Sequence, residues 1–361
     1  MKKIDHKKLW IDSMIGMTIG FMATLIIAQI FAIIGIYSKD NVFIDIKKGL
    51  TYITPFAIGV AVGAKLKQDP LKIMAIGLAA MIAAHSSLIP TFKAGEINFL
   101  SAKASISTNI ALPGDVFAAW IVSVFAVYIF TFYKWQTPID VLLFPLMGLI
   151  LGTAFAMSLT YITTLTLVVL EYIVEKTINY SYVLGILLAP ILGMIIGLAL
   201  SFPTSSAAMA FAVGLHGDAA VAAMAATAAQ MISFGLMTYM STRSIGKSLS
   251  VAFGTTMIQM PNFSRKPLLL LIPTLSSMIS AMLAVAIFHG HMPFHAPSVT
   301  SGMGMCFLYG PIFTLQENGW GSVWSWTHIF GMQLLLPLLL TFPAMWLFMK
   351  KQWIKEGDLA I

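Results

Sequence analysis

The sequence predicts an all-α polytopic integral membrane protein with about ten transmembrane helices and with re-entrant, half-helix segments between some of them. Hydrophobic residues make up 58% of the 361 residues and charged residues only 10%, a balance far outside that of soluble globular proteins. Apolar runs long enough to cross a bilayer recur along the chain. One of these runs lies between two segments that are too polar and too short to cross alone.

The predicted crossings follow one another with short connections between them. They are Met14–Tyr37, Tyr52–Leu66, Leu71–Ile89, Val116–Tyr133, Val141–Ser158, Leu159–Ile178, Tyr182–Leu200, Ala219–Tyr239, Leu268–Phe288 and Thr327–Met349. The sixth is the weakest because it carries Glu171 and Glu175, so it either crosses or lies along the membrane surface. We predict a single membrane domain over residues 1–361 and no soluble domain.

The basic residues predict the orientation of these crossings. The net charge is +7, and most Lys and Arg side chains fall in alternate loops, which are typically cytoplasmic. Lys39, Lys47 and Lys48 in the first outer loop are the exception. We expect a multi-pass membrane protein with both termini cytoplasmic. If the sixth stretch does not cross, the count falls to nine and the C-terminus moves outside.

The stretch Ser201–Asn262 predicts a solute site. Short apolar segments interrupted by Pro and Gly indicate the binding site of a transporter, and re-entrant pieces are expected here around Pro203 and Gly254. The hydroxyl groups of Thr204, Ser205 and Ser206 either line a polar cavity or cap a helix that begins at Pro203.

The second short segment presents a polar face that ends at Pro261. Gly254 allows the backbone to approach either a solute or a neighbouring helix closely, and Thr255 and Gln259 are candidate solute contacts. A third irregular segment is expected at Ser298–Pro311, which is too rich in Gly for an ordinary crossing.

Other polar residues in apolar surroundings are further candidates, because polar groups are costly within a membrane. His85 either binds solute or relays a proton, or it forms a hydrogen bond with a neighbouring helix. Asp115 either caps the next helix or accepts hydrogen bonds from solute hydroxyls. Gln230 needs a partner within its span, which is a helix or a ligand. Glu317 is either a loop carboxylate at an aqueous surface or a solute-binding group.

The sequence lacks the features that indicate several other classes of function. The single Cys306 excludes a Cys-rich metal cluster and is expected to be a small buried side chain, and no Gly-rich phosphate loop precedes a Lys. His289, His291 and His295 are better explained by the membrane edge than by a metal site. We therefore expect no metal, no cofactor and no nucleic-acid partner.

The motifs PGDVFAAW, PTSSAA, GTTMIQMPN and SGMGM resemble, in order and spacing, the phosphotransferase-system enzyme IIC-like membrane proteins, a family that includes PfoR-type toxin regulators. The resemblance extends over a core of about residues 15–317. It implies a homodimeric permease of the sugar phosphotransferase class in the cytoplasmic (plasma) membrane of a bacterium. Separate IIA and IIB phosphocarrier proteins would supply any phosphate, since this chain carries no such domain. The Glu-Pro motif of better-known sugar IIC proteins is absent, because Asn318 follows Glu317.

We therefore predict a permease that moves a small hydroxylated, sugar-like or anionic solute by alternating access. At most it is the membrane subunit of a phosphoenolpyruvate-dependent phosphotransferase system. Two alternatives stay open: a membrane-embedded solute sensor that signals to a regulator, and an ion-coupled secondary transporter. The predicted solute-binding residues are Thr204, Ser205, Ser206, Gly254, Thr255, Gln259, His85, Asp115, Gln230 and Glu317.

Overall fold

The chain forms two compact units in a computed structural model. The structure describes residues 6–38, 41–86, 88–93, 96–101, 116–133, 137–155, 178–202, 206, 209–210, 215–292, 294 and 299–361. The first unit contains Met1–Pro90, Asn98–Leu165 and Pro203–Ser205, and the second contains Thr91–Ile97, Thr166–Phe202 and Ser206–Ile361.

The first part of the chain is helical except for one hairpin. Its elements are α1 (His6–Phe21), a π-helical turn (Met22–Ile26), α2 (Ile27–Ser38), α3 (Asn41–Lys65), α4 (Pro70–Ser86), strands β1 (Leu88–Lys93) and β2 (Glu96–Ser101), α5 (Val116–Phe132) and α6 (Asp140–Phe155). The two strands pair as a two-stranded sheet.

Small residues let the helices of the first unit approach closely. A Cβ atom on Gly20 of α1 would lie 2.6 Å from Ile58 Cα of α3, and one on Gly148 of α6 would lie 2.5 Å from the Ala75 carbonyl oxygen of α4. Neither position tolerates a side chain, which is the packing role that glycine spacing predicts.

The second unit is built from long helices and short broken ones. Its elements are α7 (Tyr182–Ser201), α8 (Gly217–Thr242), α9 (Ile245–Leu249), a π-helical turn (Ser250–Gly254), a 3-10 turn (Thr256–Gln259), α10 (Met260–Arg265), a 3-10 turn (Pro267–Leu270), α11 (Leu271–Phe288), 3-10 turns (Val299–Gly302 and Cys306–Leu308), α12 (Tyr309–Asn318), α13 (Val323–Thr327), a π-helix (His328–Leu335) and α14 (Leu336–Lys350).

Helix α8 is the core of the second unit. Nearly all of its side chains are buried, from Ala219 to Ser241, and α7, α11, α14 and the broken segments pack around it. Its sequence is rich in Ala, so neighbouring backbones approach it closely on every side. A helix surrounded by protein in this way can carry polar residues such as Thr227 and Gln230 without exposing them to lipid.

The all-α membrane fold class is confirmed. Five helices are long and apolar enough to cross a membrane by length and composition, and three shorter apolar helices accompany them. A helix covers most of each predicted crossing except Leu159–Ile178, which lies almost entirely outside the described residues. The β-hairpin is the one departure, because it begins at Leu88 where the third crossing was expected to continue. The prediction of one membrane domain stays a prediction.

Candidate functional site

Helix α7 runs parallel to α8, which defines the geometry of the candidate site. Asn179, just before α7, accepts a hydrogen bond through Oδ1 from the Ala219 N–H at the start of α8, at 3.3 Å. Further along, Gly193 and Gly197 lie against Ala226 and Gln230 of α8. An alternating series of crossings would make the two helices antiparallel. Leu215, just before α8, therefore lies at the end of the unit at which α7 began.

Helix α7 is the first of three arms that reach α8. A second arm, Ile245–Arg265, enters from the opposite end of α8. Ser244 caps its first helix by accepting from the Lys247 N–H, and Gly235 of α8 packs directly against Ala252. At Thr255 the helix breaks, because this residue is extended (φ −156°, ψ 142°) while its Oγ1 accepts from the Met257 N–H at 3.2 Å. The predicted interruption after Gly254 is thus present, with Thr255 as the cap of the next turn.

The end of α7 meets the break in the second arm beside the middle of α8. Ser201, the last residue of α7, donates to Oγ1 of Thr256 at 3.2 Å, and Thr256 donates to the Leu200 carbonyl at 3.1 Å. Both hydroxyl groups are buried. Two segments that enter from opposite ends of the unit are therefore joined by hydrogen bonds from side chains.

A third arm, Val299–Asn318, reaches the same region. Thr227 of α8 donates to the Ser301 carbonyl at 3.1 Å, and Ser206 donates to the Gly302 carbonyl at 2.7 Å. An apolar cluster joins all three arms to α8. Its buried members are Leu200, Ala228, Met231, Ile232, Ala252, Met305 and Cys306. Cys306 is the small buried side chain that the sequence predicts.

The turn of the third arm is conformationally unusual. Gly304 has φ +55°, and a Cβ atom there would lie 2.7 Å from the Thr227 carbonyl carbon. Phe307 and Leu308 also have positive φ, at 45° and 62°. Large residues rarely adopt this conformation, and such strain clusters at functional sites. The expected irregularity of Ser298–Pro311 is confirmed for its described residues.

Gln230 links three helices. Its Nε2 donates to Ser201 Oγ at 3.0 Å, and its Oε1 accepts from Ser277 Oγ of α11 at 2.8 Å. Both ends of the amide thus have protein partners, and the residue is fully buried. Of the two interpretations of Gln230, the structure shows the bond between helices.

Gln259 binds the C-terminal segment. Its Nε2 donates to Thr238 Oγ1 at 2.9 Å and to the Leu359 carbonyl at 3.1 Å, and its Oε1 accepts from Asn262 at 2.8 Å. Asn262 also donates to the Ala360 carbonyl, and Lys266 forms a 2.6 Å ion pair with Asp358. In this conformation Gln259 therefore joins the second arm to the C-terminal segment by hydrogen bonds.

His85 and Glu317 make none of the contacts described above. His85 of α4 lies in the first unit, where its Nε2 is 2.8 Å from the Tyr52 carbonyl oxygen of α3 and its ring stacks on the Tyr52 ring at 4.2 Å. Glu317 is half-buried near the end of α12. Thr204, Ser205 and Asp115 lie outside the described residues.

His328 and Gln333 are polar residues that the sequence analysis missed. Gln333 Nε2 donates to Thr314 Oγ1 of α12 and lies 3.1 Å from His328 Nδ1. The two residues are five apart, a spacing that an α-helix places on different faces, whereas the π-helix His328–Leu335 brings them together. Polar side chains inside the last predicted crossing were the available signal.

Comparisons with known proteins now bear on this arrangement. Residues 11–361 match the family described as "Phosphotransferase system, EIIC". No curated protein and no solved structure matches the chain. The family match covers nearly the whole sequence and does not distinguish the PfoR type, which stays a prediction. This is a multi-pass cytoplasmic membrane protein and a permease component, and it belongs to the phosphotransferase-system EIIC family.

Proposed function

We propose that this permease moves a small hydroxylated or anionic solute by alternating access, with the arms around α8 as its moving parts. The observation that supports this most directly is the meeting of α7 and the second arm at Ser201 and Thr256. Hydrogen bonds from side chains and apolar packing around Leu200 and Ala252 hold α7 against the second arm, so the two can separate without the loss of a whole helix.

The predicted solute contacts fit this path in part. Ser206, Gly254 and Thr255 belong to the segments that meet beside α8, and we retain them, with Thr204 and Ser205, as proposed contacts. Gln230 and Gln259 have protein partners at both ends of the amide, so their proposed role is to exchange those partners when the arms move. His85, Asp115 and Glu317 stay secondary proposals.

The orientation follows from charge. In the second unit the basic residues gather where α8, the second arm and α14 meet the C-terminal segment, whereas the opposite end carries Asp218 and His289. The basic residues are Arg243, Lys247, Arg265, Lys266, Lys350, Lys351 and Lys355. We infer that this basic end faces the cytoplasm, with the C-terminus. Separate IIA and IIB proteins would dock there, and we propose a homodimer, as the resemblance implies.

A disulfide between the arm ends tests the proposal. Ser201→Cys and Thr256→Cys, combined with Cys306→Ser, place two thiols where the hydroxyl groups now lie 3.2 Å apart. Oxidation should stop solute uptake into proteoliposomes, and reduction should restore it. Each single-cysteine variant is the control. Full uptake with the disulfide formed would show that α7 and the second arm do not separate during transport.

The energy source of uptake distinguishes three functions: phosphotransfer-linked uptake, ion-coupled transport and solute sensing. Uptake that needs phosphoenolpyruvate and the IIA and IIB proteins supports phosphotransfer. Uptake without them supports an ion-coupled transporter. Tight solute binding with no uptake under either condition would indicate a sensor and would contradict the permease proposal.

A further inference from the structure

The C-terminal segment, Lys351–Ile361, folds back onto the second unit. It follows α14 directly, and Gln352 has a φ of +57°, which turns the chain out of the helix. Ile354 and Leu359 are then buried, at 1% and 0% exposure. Burial of apolar side chains holds a peptide segment against the protein that covers it, so this segment is docked.

Ser241, near the end of α8, holds one side of the C-terminal segment. Its carbonyl accepts from the Gly357 N–H at 3.0 Å. Its Oγ donates to the Lys355 carbonyl at 3.4 Å and accepts from the Leu359 N–H at 3.3 Å. Three hydrogen bonds therefore join the segment to α8, the core helix of the second unit.

Two amide side chains of the second arm hold the other side of the segment. Gln259 donates to the Leu359 carbonyl at 3.1 Å, and Asn262 donates to the Ala360 carbonyl at 3.0 Å. The N–H of Leu359 thus bonds to α8 while its carbonyl bonds to the second arm. The segment is in this way bonded to both elements at once.

An ion pair strengthens the contact where the second arm ends. Lys266 follows the last residue of the arm, and its ammonium lies 2.6 Å from the Asp358 carboxylate. The same carboxylate accepts from the Lys355 N–H at 2.7 Å, which fixes its position. Both side chains of the pair are partly buried, so water screens the attraction less than it would on an open surface.

These contacts restrict the movement of the second arm. If the arm moves relative to α8, it must either leave the segment or pull the segment away from Ser241. The bonds on the arm side come from side chains, and such bonds exchange with water at a small net cost. The arm can therefore leave the segment while the segment stays on α8.

We propose that the C-terminal segment makes an autoinhibitory contact. It holds the second arm against α8 in the conformation described here, and the arm moves only after this contact is broken. The inference rests on the proposed function, in which the second arm is a moving part, and it names the regulation of that movement.

The labelling rate of a buried thiol tests the proposal without any solute. In a Cys306→Ser background, Thr256→Cys places a thiol where the second arm contacts α7, at a position with 0% exposure. A maleimide reaches this thiol when the arm separates, so the rate follows the population of the open form. Ser280→Cys, fully buried in α11, reports on opening of the second unit in general.

Two changes weaken the contact in the purified full-length protein. Asp358→Asn removes the charge of the ion pair, and removal of Leu359–Ile361 also takes away the two carbonyl acceptors. We expect the Thr256→Cys rate to rise about threefold in the first case and about tenfold in the second. The Ser280→Cys rate should stay the same. Glu356→Gln, on an exposed part of the segment, is the control and should change neither rate.

An equal Thr256→Cys rate with and without Leu359–Ile361 would overturn the proposal, because the segment would then not hold the arm. An equal rise at Ser280→Cys would also overturn it, since the segment would then support the whole unit. The proposed function is judged separately by the effect of the Ser201–Thr256 disulfide on uptake, which does not depend on the C-terminal segment.

Discussion

Each of the three buried glutamines of the second unit has a different role, and its partners reveal it. Gln230 joins α7, α8 and α11, Gln259 joins the second arm to the chain end, and Gln333 keeps an unpaired oxygen. An apolar environment penalises an unpaired amide far more than a paired one. The paired amides of Gln230 and Gln259 therefore join elements of the second unit.

Replacing Gln230 by Leu should destabilise the protein by about 1 to 3 kcal/mol, since Ser201 and Ser277 lose a buried partner. Thermal unfolding in detergent measures this. The control is Ser123→Ala in α5, whose hydroxyl donates to the Ala119 carbonyl of its own helix. Normal stability of Gln230→Leu would mean that the amide does not hold the helices together.

The Asp358 carboxylate should make stability depend on pH. Partial burial raises the pKa of Asp358, but hydrogen bonds from the Lys266 ammonium and the Lys355 N–H outweigh it, so the pKa lies below its ordinary 3.8. The pair therefore stabilises the protein above pH 3.8, and this contribution is lost as the pH falls through the lowered pKa.

At neutral pH we expect Asp358→Asn to lower the melting temperature by about 1 to 3 °C, and we expect this difference to shrink toward pH 3. Glu356→Gln, on the exposed part of the same segment, is the control. A difference between Asp358→Asn and wild type that does not change with pH would contradict the assignment.

At the scale of elements, backbone irregularities create the site. The break at Thr255 ends one helix where another begins, the left-handed residues of the third arm turn the chain beside α8, and the π-helix aligns His328 with Gln333. Thr255, Gly304 and His328 are buried, and irregular backbone at membrane depth is tolerated where it is buried in protein.

Gly304→Ala tests the tight turn of the third arm. The substitution places a Cβ 2.7 Å from α8 at a φ of +55°, so we expect a loss of about 2 to 4 kcal/mol in stability and much lower solute binding. Gly331→Ala is the control, because no atom lies within 4 Å of a Cβ at that position. Equal stability of the two variants would show that the arm does not press on α8.

At the scale of the whole molecule, the parallel course of α7 and α8 changes the expected number of membrane crossings. With the basic end of the second unit in the cytoplasm, Tyr180 before α7 lies on the outer side. If Leu159–Ile178 lies along the membrane surface and α7 returns without crossing, the number of crossings stays even. Both termini then stay cytoplasmic, as predicted.

Labelling of intact cells tests this topology. In a Cys306→Ser background, Tyr180→Cys should react with a membrane-impermeant maleimide, since the Tyr180 side chain is exposed. Lys355→Cys should react only after the membrane is opened. Protection of Tyr180→Cys in intact cells would place α7 in an ordinary alternating crossing and would contradict the parallel arrangement.

The sequence alone determined the membrane class, the positions of most crossings, the interruption at Gly254 and the family. These depend on hydropathy, on Gly and Pro and on local motifs, which act over short stretches of chain. Only the tertiary structure decided the direction of α7, the partners of Gln230 and Gln259 and the pairing of His328 with Gln333. A hydrogen bond such as that between Ser201 and Thr256 joins residues far apart in the chain. The periodicity of apolar residues does not show which polar groups will form such bonds.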